Sequence, residues 1–148
     1  MFKKIVVGID GSDNANHALT LACDLANKYD SEIHLVHTPQ PQTVAFALGA
    51  VASYHVVTTM PSASEVQEAS EKVLKAGQEL AAKNGQTIAH TYGQQGDPAD
   101  ELVACAENCG ADLIVTGRRG LGSVGALVQG STSQRVNHLA KCACLSVV

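Results

Sequence analysis

Residues 113–132 read LIVTGRRGLGSVGALVQGST. Leu113–Thr116 is a short apolar run that suits a buried strand. Gly117–Thr132 follows at once, with glycines at 117, 120 and 130 and then the hydroxyls of Ser131 and Thr132. Glycine tolerates positive φ and lets backbone N–H groups come close to an anion. The Ser-Thr pair opens an amphipathic helix over 131–140, and a helix start carries free N–H donors and partial positive charge. A strand, a glycine loop and a helix start in that order suit a loop wrapped around phosphate.

The rest of the chain repeats the same alternation. Lys3–Ile9 is an apolar strand. Ser12 or Asp13 can cap a helix in which Ala15, Ala18, Leu19, Ala22, Leu25, Ala26 and Tyr29 recur at helical spacing. Glu32–Thr38 is a second strand. Pro39–Pro61 shows no clear periodicity and reads as a mobile connection with room for a short helix. Ser64-x-x-Gln67 has the form of a capping box, and Val66, Ala69, Val73, Ala76 and Leu80 continue that helix. Thr87–Tyr92 is a third strand. Asp97-Pro98 starts a helix that Gly110 stops. Ala143–Val148 is the fifth strand.

Strand and helix alternate throughout, which predicts one domain over 1–148 with an open, five-stranded parallel sheet covered by helices on both faces. Right-handed crossovers leave few topologies, and the order 3-2-1-4-5 is expected. In that order the winding reverses between strands one and four, where ligands bind in such folds. Asp10-Gly11-Ser12 after strand one and the glycine loop after strand four then meet at one crevice.

Composition limits the functions available. The chain has 148 residues and a formal charge of −4, which argues against electrostatic binding to nucleic acid or to an anionic membrane. It has no tryptophan and aromatics make up 3%, so base stacking on aromatic platforms is not expected. The apolar run in MFKKIVVGID is too short for a signal segment and no run reaches membrane-spanning length, so a cytoplasmic location is expected. Five cysteines (23, 105, 109, 142 and 144) are an odd set without zinc-ribbon or CxxC spacing. They are expected to be reduced, mostly buried thiols. Of six histidines, His34 and His37 fall on opposite faces of strand two and cannot share a metal there. His17, His55, His90 and His138 are scattered. No Cys–His or Ser–His–Asp arrangement is legible, and no catalytic or metal-ligating residue is assigned.

Three phosphate-loop patterns can be laid on the glycine stretch. Gly120-Leu-Gly122-Ser-Val-Gly125 matches G-x-G-x-x-G, but a dinucleotide site needs that motif in the first strand–helix turn with an acidic residue about 20 positions on, and Leu145 and Ser146 stand there. Gly125-x4-Gly130-Ser131-Thr132 approximates a P-loop with serine in place of the lysine, so hydrolysis of that type is not expected. The third pattern, G-x2-G-x9-G-[S/T], is met in full by Gly117, Gly120, Gly130 and Ser131.

With that motif the chain resembles the universal stress proteins over nearly its whole length. The resemblance rests on KKIVVGIDGSDNANHAL, on GDPADELVACAENCGADLIVTGRRG and on GSTSQRVNHLAKCACLSVV, in that order. It implies a Rossmann-like fold of the adenine-nucleotide alpha-hydrolase type, and usually a homodimer. It also implies ATP as the ligand, with Mg²⁺ or Mn²⁺ accompanying it, since members with the complete motif bind ATP. By position, Gly8 and Ile9 would line the pocket and Asp10 would meet the ribose or the phosphate side. Thr38 would stand where the family's backbone meets adenine. Gly117 would border the ribose, with Thr116 counted beside it. Gly120, Gly130, Ser131 and Thr132 would hold the phosphates. A carboxylate can accept from ribose hydroxyls or hold a divalent cation against phosphate. The hydroxyls and N–H groups at 130–132 suit phosphate oxygens.

Plainer roles compete at several of these positions. The glycines also serve tight turns, Asp10 can cap a helix, and Arg118 and Arg119 can be solvated or reach phosphate. One departure from the family stands out. Most members have a Pro-Cys-Pro-like pattern before the last strand, and here it is Lys141-Cys142-Ala143-Cys144, without the constraint proline puts on the strand's start. The sequence ends at Val148 inside an apolar run, so the last strand is expected to be an edge that pairs with its copy in a two-fold dimer. The function implied is nucleotide-dependent stress response or signalling. The alternatives are a slow ATPase or autophosphorylating enzyme, for which Asp10 is the acidic candidate and Ser131 or Thr132 the acceptor, and a nucleotide-free interaction module. A phosphoacceptor receiver domain is disfavoured because Thr91-Tyr92-Gly93 offers no carboxylate.

Overall fold

A computed structural model of the chain describes residues 1–49, 60–121 and 130–148. Five strands, β1 (Lys4–Gly8), β2 (Glu32–His37), β3 (Ile88–Gly93), β4 (Leu113–Gly117) and β5 (Ala143–Val147), form one parallel sheet in the expected order β3-β2-β1-β4-β5. The helices are α1 (Asp13–Tyr29), α2 (Pro41–Ala47), α3 (Ala63–Lys83), α4 (Pro98–Cys109) and α5 (Ser131–Leu139).

Alternation of side chains along each strand divides the core in two. Ile5 and Val7 of β1, Leu35 of β2 and Val115 of β4 point to one face, where Ala18, Leu19 and Ala22 of α1 and Val73 and Ala81 of α3 cover them. Val6, Val36 and Ile114 point to the other, beneath Ala99, Leu102 and Ala106 of α4 and Val136 of α5. Both faces of β1 and β4 are therefore apolar, as a doubly covered parallel sheet requires.

Local chemistry sets the helix ends. Ser12, not Asp13, caps α1, its Oγ accepting from the Ala15 N–H at 3.2 Å. Asp97 caps α4 through the Ala99 and Asp100 N–H groups, Pro98 takes the first helical position, and Gly110 ends the helix with φ +67°. The capping box of α3 is a correction. It is Ser62 with Glu65, not Ser64 with Gln67. The Glu65 carboxylate accepts from the Ser62 N–H and hydroxyl, both at 2.7 Å. Two capping patterns lie two residues apart here, and the earlier one engages the free N–H groups first. The connection at 39–61 contains α2, with Pro41 opening it, and residues 50–59, including His55, lie outside the described residues. Strand β5 starts at Ala143 and pairs with β4 from Leu113 to Gly117, with no proline in Lys141–Cys144 to set its start.

All five cysteines are free. Only Cys23 is fully buried; Cys105, Cys109, Cys142 and Cys144 are half-buried, less enclosed than expected. Three of those four sit on α4 or ahead of β5, at the margin of the second core cluster and not in its interior. His34 and His37 do face opposite sides of β2. His34 stacks on Tyr92, while His37 Nδ1 meets the Ile9 carbonyl oxygen at 2.9 Å. No helix among the described residues is long and apolar enough to cross a membrane.

Candidate functional site

At the carboxyl ends of β1 and β4, where the strand order reverses, the structure opens a cavity of about 700 Å³. All ten residues expected from the sequence line it: Gly8, Ile9, Asp10, Thr38, Thr116, Gly117, Gly120, Gly130, Ser131 and Thr132. The topology produces this convergence. Parallel strands place the loops after β1, β2 and β4 on the same rim, and the reversal between β1 and β4 separates the helices that would otherwise fill it.

Asp10 lies on the rim, just past the end of β1. Its Oδ1 accepts from the Ser12 N–H at 2.9 Å and its Oδ2 from the Leu121 N–H at 3.2 Å. The carboxylate thus fastens the loop after β1 to the glycine loop after β4, across 111 residues of sequence. It is not the cap of α1, a role that Ser12 takes.

The site glycines serve close approach, not unusual backbone angles. Positive φ occurs at Gly11, Gly49, Gly85, Gly96 and Gly110, and at none of Gly117, Gly120 and Gly130. A Cβ on Gly120 would lie 2.5 Å from Asp10 Oδ2, and one on Gly117 would lie 2.9 Å from the Ala15 backbone nitrogen. A side chain at 117 would press on the backbone of α1, and one at 120 would displace the Asp10 carboxylate that joins the two loops. Gly122 and Gly125, which carry the other two loop patterns, lie outside the described residues.

The start of α5 is tied down next to these glycines. The Gly130 N–H donates to the Arg118 carbonyl at 2.7 Å, and the Ser133 hydroxyl meets the same carbonyl at 3.1 Å. The first turn of α5 therefore presents Ser131 and Thr132 to the cavity. Of the two loop arginines, Arg119 lines the cavity and Arg118 does not.

Thr38, just past the end of β2, is buried in the wall, and its Oγ1 has no hydrogen-bond partner among the described residues. A buried hydroxyl without a partner is costly unless something binds it. Beside it, burial pushes the pKa of His37 below the ordinary 6.5, against the raising influence of the Ile9 carbonyl and Asp10. His37 is thus a neutral imidazole that donates from Nδ1 to Ile9, the residue whose backbone shapes the pocket floor.

Other wall residues were not legible as site residues. Leu102 of α4 packs its side chain over Gly8, 2.9 Å from where a Cβ would stand. Gln40 donates from Nε2 to the Gly96 carbonyl at 3.0 Å, joining the loop after β2 to the loop after β3. Asp97 and Arg135 line the cavity and pair with each other at 2.8 Å. Asp97 had a visible signal as a helix cap, and a cap after β3 must lie near the same rim. Arg135 had none, because its partners are far away in sequence. Among the described residues no cluster of three or more His, Cys, Asp or Glu side chains could hold a metal.

Fold and cavity together define a doubly wound α/β protein with its pocket at the reversal of strand order. The model of the universal stress protein family matches residues 1–147. The universal stress protein YxiE of Bacillus subtilis is 33% identical over 150 residues, covering 99% of each chain. The chain belongs to the universal stress protein family. Among solved structures, the universal stress protein from Archaeoglobus fulgidus in complex with dAMP superimposes with a TM-score of 0.70 at 21% identity, covering 99% of this chain and 98% of that one. A universal stress protein in complex with cAMP gives a TM-score of 0.70 at 23% identity, covering 99% and 97%. At those identities the two share the fold with this chain.

Proposed function

We propose that this protein binds an adenine nucleotide, ATP in the first instance, in the cavity between β1 and β4, and that the nucleotide sets the state of a dimer acting in stress response or signalling. The observation that carries this reading is the meeting of all ten expected residues on one cavity wall. Solved proteins of the same fold hold dAMP and cAMP, which supports the adenine-nucleotide class.

The residues fit such a ligand. Thr38 offers a buried hydroxyl with no partner among the described residues, at the position assigned to adenine. Gly8 and Ile9 form the floor, and Asp10, Thr116 and Gly117 stand at the ribose. Gly120, Gly130, Ser131 and Thr132 supply close backbone approach, hydroxyls and a helix start for phosphate. A Mg²⁺ or Mn²⁺ ion would accompany the phosphates as a counter-charge. Both Asp10 oxygens already accept backbone N–H bonds, which supports a role in shaping the site over one as a proton acceptor in turnover. For the dimer, β5 is an edge of the sheet, and antiparallel pairing with a second copy would satisfy its free backbone groups.

The test is to release small molecules from the purified protein by denaturation and weigh them, then to titrate wild type and Gly120→Val with ATP–Mg²⁺ in a calorimeter. Valine at 120 meets Asp10 Oδ2 head-on, so binding should be present in wild type and lost in the variant. No released nucleotide, and no binding heat in either protein, would refute the reading.

A further inference from the structure

Arg135 lies one turn into α5 on the cavity wall, and its guanidinium holds two carboxylates of the neighbouring helix. Nη1 is 2.8 Å from Asp97 Oδ2, and Nη2 is 2.8 Å from Asp100 Oδ1. Asp97 has a second task, because its Oδ1 caps α4 by accepting from the Ala99 N–H at 2.9 Å and the Asp100 N–H at 3.2 Å. One carboxylate therefore links the first turn of α4 to α5. On its other side α5 hangs from the Arg118 carbonyl through Gly130 and Ser133. Ser131 and Thr132 stand between these two tethers. The α4 tether is firm, since Leu102 packs that helix onto Gly8 of β1.

We propose that Arg135 is a positioning residue: through Asp97 and Asp100 it sets where Ser131 and Thr132 stand, and so how strongly the site holds the phosphate part of its ligand. This rests on the nucleotide reading above. A planar fork that engages two carboxylates at once fixes direction as well as distance, which a lysine cannot do. The competing role for an arginine on the wall is direct contact with phosphate: each terminal nitrogen gives one N–H to an aspartate and keeps a second, so the variants must separate the two roles.

Calorimetry with AMP and with adenosine separates phosphate holding from the rest of the site. The variants are Arg135→Ala, Arg135→Lys and Asp97→Asn. Asparagine is as good a helix cap as aspartate, so Asp97→Asn removes the ion pair and leaves α4 capped. Small displacements of binding groups are costly, so AMP should weaken about three- to tenfold in Arg135→Ala and Asp97→Asn, with adenosine changed by less than about twofold. Arg135→Lys should recover part of the loss. Removing a cation and removing an anion act on a bound phosphate with opposite signs, so a loss of the same sign in both variants marks positioning. A second readout needs no ligand: amide exchange at Gly130 and Gln134, whose N–H groups tether the start of α5, should quicken in both variants. Tighter AMP binding in Asp97→Asn beside weaker binding in Arg135→Ala would make Arg135 a direct phosphate contact and overturn the proposal. So would equal weakening of AMP and adenosine, or unchanged amide exchange. A wild-type protein that binds none of ATP, AMP and adenosine would refute the nucleotide reading itself, and this inference with it; where ATP binds and AMP does not, the same variants are compared with ATP–Mg²⁺ against adenosine, with the same outcomes.

Discussion

Replacing Gly117 by alanine should destabilise the fold and damage the site together. The new methyl would stand 2.9 Å from the Ala15 backbone nitrogen, 2.9 Å from the Asn14 carbonyl carbon and 3.0 Å from Asn14 Cβ. Two of these are backbone atoms in the first turn of α1, which the Ser12 cap holds and which cannot swing aside as a side-chain tip can. Gly117 itself is paired to Val147 at the end of β4. Relief therefore requires helix and strand to separate by several tenths of an ångström. Overpacking of this kind costs about 1–3 kcal/mol. For a chain of this size that lowers Tm by roughly 2–12 °C. Gly110→Ala is the control. Its methyl would meet nothing within 4 Å, but the residue has φ +67°, so the cost is conformational, about 1 kcal/mol. Urea denaturation gives both stabilities, and calorimetry with ATP–Mg²⁺ gives the binding. Gly117→Ala should lose stability and affinity, and Gly110→Ala stability alone. Stability of Gly117→Ala within about 0.5 kcal/mol of wild type would refute the collision, because backbone atoms at that spacing leave no cheaper escape.

Three further outcomes follow from the geometry. Burial holds folded His37 and His34 below the ordinary 6.5, so under that pH the unfolded chain binds more protons. Stability should then fall as pH drops from about 6.5 toward the lower folded values. His37→Asn keeps a donor for the Ile9 carbonyl without titrating, so urea midpoints measured across that window should show a shallower decline than wild type; an unchanged slope would exclude His37 as a source. Burial also raises the thiols of Cys23 to about 11 and Cys105 to about 12. Both should resist iodoacetamide at neutral pH and label on unfolding, as read by mass spectrometry, and rapid native labelling of Cys23 would contradict its enclosure. Finally, Ser62→Ala should cost about 1 kcal/mol while Ser64→Ala stays within about 0.5 kcal/mol of wild type. The reverse ranking in denaturant melts would restore the box at Ser64.

Much of this protein could be read along the chain because the deciding physics is local. Apolar runs alternating with helical spacing determined a doubly covered parallel sheet, since each face of β1 and β4 has to be buried. The handedness of crossovers then left few topologies, and the favoured one, 3-2-1-4-5, put a crevice beside Asp10 and Gly117. The spacing of Gly117, Gly120, Gly130 and Ser131 marked the loop. The cap of α4 was legible because Asp97, Pro98 and Gly110 each act on their own neighbours. Even locally, choice between near-equivalent patterns failed: Ser62–Glu65 and Ser64–Gln67 are both capping boxes on paper, and only the actual start of α3 selects one. The rest depended on contacts between distant segments. That Asp10 clamps Leu121, that the site glycines are small so that loops can touch and not so that φ can turn positive, and that Arg135 joins α5 to α4 are all settled by distances across the folded molecule. Sequence alone determined which groups could do chemistry at the rim. Tertiary structure decided which of them hold the rim together, because only folding brings groups 35 to 111 residues apart in sequence within hydrogen-bond reach of a carboxylate or guanidinium.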